Sequence, residues 1–92
     1  MEYFIEISEE AKANIEEALN YYSVISTSLK DRFEAELSKS IDLLSKNPLQ
    51  HQIRYRKIRI AFTSVFPYGI HYIVENEYVY IFNILHTKRF FK

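Results

Sequence analysis

After a short alternating stretch at residues 3–7, the spacing of apolar residues changes once along this chain. It runs at three to four over the first half and at two from residue 53 onward, an order that few folds accommodate. Ala11, Ile15, Ala18, Tyr22 and Ile25 recur on one face of a helix expected from about residue 9 to 24. Ser8 stands where an N-cap belongs, and Glu9 and Glu10 suit the positive end of that helix. Leu29, Phe33, Leu37, Ile41 and Leu44 mark a second helix, which begins with Ser26 or Ser28 as its cap. Ser28 with Asp31 resembles a capping box. Lys46-Asn47-Pro48 should end this helix, because Asn tolerates a left-handed terminal position and Pro cannot continue the ladder. So short a link between the helices predicts an antiparallel hairpin.

The strands follow from the period of two. Tyr3, Ile5 and Ile7 alternate with Phe4 and Glu6 to give a short opening strand. Ile53 and Tyr55 share one parity while Ile58, Ile60 and Phe62 share the other, so a bulge or a turn is expected at Arg56-Lys57. Phe66-Pro67-Tyr68-Gly69 is a turn signal, and Ile70, Tyr72 and Val74 then alternate with His71 and Ile73. Glu75-Asn76-Glu77 makes a tight turn into Tyr78–Leu85, a stretch apolar on both faces that reads as an interior strand. The order β-α-α-β-β-β predicts an α+β fold, a helical hairpin packed on one face of a mostly antiparallel four-stranded sheet. The second face of that sheet carries aromatic side chains that would form a patch in want of a partner.

Residues 1–92 are expected to form a single domain, since about 100–200 residues is the usual size of one. The chain has no cysteine, which removes disulfides, thiolate metal sites and thiol nucleophiles from consideration. No basic segment followed by an apolar one opens the sequence, and no apolar run approaches the roughly 20 residues that cross a bilayer. A cytoplasmic protein without membrane contact is therefore expected. Three scattered histidines without a metal-binding spacing predict no metal, and the lone Gly69 leaves no glycine-rich nucleotide loop, so no cofactor is expected.

The net charge of zero conceals an asymmetry. Residues 1–47 carry ten acids and five bases, whereas residues 48–92 carry seven bases and only Glu75 and Glu77 as acids. The bases could form a face for a phosphate backbone or an acidic peptide, or simply decorate the sheet ends.

Several segments, in order, resemble one family. They are Ala18-Leu19-Asn20-Tyr21-Tyr22, Leu29-Lys30-Asp31-Arg32-Phe33, Leu44-Ser45-Lys46-Asn47-Pro48, Phe66-Pro67-Tyr68-Gly69-Ile70-His71-Tyr72 and Leu85-His86-Thr87-Lys88-Arg89. Together they resemble the RelE/ParE superfamily, the toxins of type II toxin–antitoxin systems, and the Tyr21-Tyr22 and Phe66-Pro67-Tyr68 segments look like its ParE-type group. The resemblance implies a RelE/ParE-like fold and a growth-arresting toxin held inactive by a cognate antitoxin, a small protein. It implies one of two targets, DNA gyrase or messenger RNA in the ribosome. A homodimer is a further expectation. If the chain is an enzyme, it is a metal-independent, ribosome-dependent endoribonuclease.

Such cleavage needs a base for the 2′-hydroxyl, cations for the phosphorane and an acid for the leaving oxygen. The resemblance points to His86 and Arg89 just past the last strand and to Arg56 and Arg59 in the basic strand segment as catalytic candidates. Each has a structural alternative: a strand-end imidazole bonded to backbone for His86, and solvated charges for the three arginines. His71 faces away from Ile70 and Tyr72 and suits a hydrogen bond across the sheet, while His51 receives no role. The chain departs from the nuclease pattern in its neutral charge and in Phe90-Phe91, which can stack on a base but cannot transfer a proton. Gly69 stands where the family usually has a basic residue. A non-catalytic module, or a toxin fold without activity that binds through its aromatic sheet face, is the alternative function. The functional reading as a whole rests on Arg56, Arg59, His86 and Arg89 converging on one rim of a sheet whose other side is roofed by the paired helices.

Overall fold

The computed structural model describes residues 2–90, with side chains through Lys88. Met1, Phe91 and Lys92 lie outside the described residues, as do the side chains of Arg89 and Phe90. The elements are β1 (Phe4–Ile7), α1 (Glu9–Ile25), α2 (Thr27–Lys46), a 3-10 turn (Pro48–Gln50), β2 (Ile53–Tyr55), β3 (Ile58–Phe62), β4 (Tyr68–Glu75), β5 (Tyr78–His86) and the short α3 (Thr87–Phe90). The sheet order is β1-β5-β4-β3-β2. Among the described residues only β1 against β5 is parallel, and the other pairs are antiparallel.

The expected α+β arrangement is present, with five strands rather than four. The shift of parity at Arg56-Lys57 is a turn: Arg56 adopts φ 52°, and the chain reverses to pair Ile53 with Arg59 and Tyr55 with Ile58. A bulge would have kept one continuous strand; the left-handed residue divides it. The interior position expected for Tyr78–Leu85 holds, with β5 between β1 and β4.

Ser8 caps α1 by accepting from Ala11 N at 3.0 Å. Ser26 links the two helices by itself. Its N–H donates to the Tyr22 carbonyl at 2.9 Å, and its hydroxyl accepts from Leu29 N at 2.9 Å. Ser26, not the Ser28–Asp31 box, therefore caps α2. Asn47 ends α2 at φ −149° and ψ 67°, outside the left-handed region, and Pro48 opens the 3-10 turn instead of merely stopping the helix.

Paired strand residues share a face. Ile7, Val79, Ile81, Ile84, Ile70 and Tyr72 face the helices and are buried or partly buried among Ala11, Ala18, Leu37 and Leu44. At one end of this core Tyr22, Phe33, Phe66 and Tyr68 pack ring against ring with centroids 5.0–5.3 Å apart. Glu36 on α2 holds that corner, since its carboxylate accepts from Val65 N at 3.0 Å and Phe66 N at 3.1 Å. The β3–β4 loop is thereby tied to the helix layer by charge-assisted bonds. Among the described residues, no helix is long and apolar enough to cross a membrane.

Candidate functional site

Strand β5 outlasts its parallel neighbour, because β1 ends at Ile7 opposite Ile81 while β5 runs on to His86. Backbone groups on that side of β5 need other partners. Ser8 N donates to the Ile81 carbonyl at 2.9 Å, Ser8 Oγ to the Phe82 carbonyl at 3.1 Å, and Asn14 Oδ1 accepts from Ile84 N at 3.0 Å. Beyond Asn14, helix and strand separate. Two adjoining cavities of about 300 Å³ each open there, lined by Asn14, Glu17, Ala18 and Tyr21 from α1 and by Tyr68 and His86 from the sheet.

His86 pairs with Tyr68 and so points to the helix side, its ring centroid 5.3 Å from that of Tyr68. Its Nδ1 accepts from Lys88 N at 3.2 Å as the chain turns into α3. A neutral imidazole in that bond carries its proton on Nε2, directed away from the backbone.

The other sequence candidates lie elsewhere. Arg59 pairs with Tyr72, four residues along β4 from the Tyr68 that pairs with His86. That is roughly 13 Å along the strands and two strand spacings, about 10 Å, across them. The Arg59 guanidinium is engaged, donating to the His51 carbonyl at 2.5 Å. Burial first, and the Arg59 charge second, lower the pKa of the His51 imidazole from its ordinary value. Arg56 occupies the β2–β3 turn, at the end of the sheet away from His86. Arg89 belongs to α3, but its side chain is outside the described residues. Arg56, Arg59 and His86 thus do not share one rim.

The open face of the sheet, opposite the helices, has a different character. Phe4, Tyr78 and Tyr80 form an aromatic strip, with centroids 5.4 Å apart for Phe4–Tyr78 and 5.6 Å for the stacked Tyr78–Tyr80 pair. Towards β2, the Arg54 guanidinium lies 5.6 Å from the Phe62 ring centroid. Gly69 stands opposite Phe62, and a Cβ there would meet Ile60 Cγ2 at 3.0 Å and the Phe62 ring at 3.5 Å. In the middle His71 is 1% exposed, with Nδ1 3.2 Å from the Tyr55 hydroxyl. The cross-sheet bond expected of His71 is therefore present. Burial lowers its pKa from the ordinary value.

Sequence reasoning missed Asn14 and Glu17, whose helical positions carry no sign that they border a cavity. It also missed the Arg54–Phe62 contact, for which the departure at Gly69 was the available signal. The sequence matches the family model described as the ParE toxin of type II toxin–antitoxin system, parDE, over residues 5–91. No curated protein matches the sequence significantly. Among solved structures the fold is similar to a chain of the chromosomal ParDE TA system from P. aeruginosa, with TM-score 0.74 and 15% identity over 91% of this chain and 95% of that one. It is also similar to a chain of the E. coli DinJ-YafQ toxin–antitoxin complex, with TM-score 0.67 and 14% identity over 100% of both. At such identities the structural likeness bears on the fold alone.

Proposed function

The chain belongs to the ParE toxin family of type II toxin–antitoxin systems, and from that premise we propose that it arrests growth by binding DNA gyrase rather than by cutting messenger RNA, with a cognate antitoxin holding it inactive. It does so in the cytoplasm, as one domain. The observation that carries this reading is the dispersal of the nuclease candidates. Phosphorane stabilisation needs cations preorganised around a single phosphate. Here Arg59 is spent on a backbone carbonyl, Arg56 sits at the far end of the sheet and His86 faces α1. Inhibiting a protein needs none of these groups together; it needs surface, and the open sheet face and the cleft beside His86 supply it.

An antitoxin fits the same features. The solved ParDE and DinJ-YafQ assemblies are named as toxin–antitoxin systems, and an exposed aromatic strip on this chain suits coverage by a partner.

Induction of the chain alone should stop growth, and co-expression of the small protein encoded beside it should restore growth. Mapping RNA 5′ ends after induction separates the mechanisms. Intact transcripts with accumulating DNA breaks support the gyrase reading. Codon-phased cuts that fall about 10²–10³-fold in His86→Ala would establish a nuclease instead. Unimpaired growth at full soluble expression would leave a non-catalytic interaction module as the answer.

A further inference from the structure

The open face of the sheet is divided by charge. Strands β1 and β5 and the β4–β5 turn, residues 4–7 and 75–86, contain Glu6, Glu75 and Glu77 and neither lysine nor arginine. Strands β2 and β3 with their turn, residues 53–62, contain Arg54, Arg56, Lys57 and Arg59 and no acid. Arg59 is occupied by the His51 carbonyl, which leaves three bases to set against three acids. Glu75, Glu77, Arg56 and Lys57 are all exposed.

The two groups also stand at the same end. Arg59 pairs with Tyr72, and Glu75 pairs with Tyr78, so the β2–β3 and β4–β5 turns leave the sheet in the same direction. The β2–β3 turn stands at the β2 edge, two strand spacings across the sheet from the β4–β5 turn, and the point midway between them lies between β4 and β3. A two-fold axis parallel to the strands, laid against the open face, exchanges left and right but keeps the end. It brings the acidic turn of one copy over the basic turn of the other, twice. Such an interface is self-complementary, as a closed dimer requires. The same operation lays Tyr78 and Tyr80 over the β2–β3 side of its mate, where Tyr55 is 40% exposed.

We infer that the occupant of this face in the absence of other partners is a second copy of the chain, docked open face to open face about that axis. This pairing is independent of the toxin's cellular target. A foreign basic or acidic partner would match only one half of the face, whereas the chain itself matches both.

Sedimentation of the purified chain tests the proposal. A dimer is expected that weakens at least tenfold between about 0.1 M and about 1 M salt, as the screening length falls from about 10 Å to about 3 Å. Arg56→Glu with Lys57→Glu should weaken association at least tenfold, and so should Glu75→Lys with Glu77→Lys. The two reversed proteins mixed, or all four changes in one chain, should restore it. Because these side chains are exposed, circular dichroism should remain that of the parent. A monomer at every concentration in low salt overturns the proposal. So does a dimer indifferent to the reversals, an open-ended series of larger species, or a chain that stays monomeric while its acidic turn captures an oligolysine probe.

Discussion

At the scale of single residues, His71 links burial to acid sensitivity. Its imidazole is nearly sealed and its pKa is lowered by desolvation. The unfolded chain therefore binds a proton near pH 6.5 that the folded chain refuses, and stability must fall as the pH drops below that value. The loss grows as the pH falls further below it, and His51 adds to it with a pKa lowered in the same sense. Urea midpoints measured from pH 7.5 down to pH 5 should decline, and His71→Asn should flatten the decline. Tyr72 acts at the alkaline end. Burial pushes its phenol up to about 12, and its hydroxyl donates to the Pro48 carbonyl at 2.5 Å. Tyr72→Phe should cost about 1 kcal/mol in urea denaturation, because a buried carbonyl loses its donor. Gly69→Ala should cost about 1–2 kcal/mol, since the new methyl meets Ile60 at 3.0 Å. The cross-sheet role of His71 was legible from strand alternation. The reason for Gly69 was not, because it lies in the side chains of Ile60 and Phe62 on another strand.

At the scale of elements, the helices were readable because their signals are local. Stripes at spacings of three and four and a serine before each helix act within a few residues, and α1 and α2 appear where those signals place them. Asn47 shows the limit: its backbone is not left-handed, and it leads into a 3-10 turn opened by Pro48. The fifth strand was foreshadowed by a parity shift, but choosing turn over bulge required the positive φ of Arg56. Glu36 was invisible, because its partners at Val65 and Phe66 lie about thirty residues away. Glu36→Ala should lower stability by about 1–2 kcal/mol by leaving two amides without their acceptor. Glu36→Gln should recover most of that loss, as read by thermal melting.

At the scale of the whole molecule, the sequence displayed its charges but not their distances. Seven bases in the second half suggest one patch, but among the described residues strand register puts Arg59 and the Arg56–Lys57 turn away from the end of the sheet that carries His86. Register is a long-range property, set by the bulge between His71 and Tyr72 and by where β1 stops. The open aromatic face was anticipated; the cleft between α1 and β5 was not, because it exists only where one strand outruns its neighbour. The proposed action on gyrase needs only such surfaces. The most direct measurement is the supercoiling of relaxed plasmid by DNA gyrase and ATP in the presence of the purified, folded chain. Supercoiling should be lost as the chain is titrated in, and restored by its antitoxin. Supercoiling undiminished at a large molar excess of the chain would contradict the account.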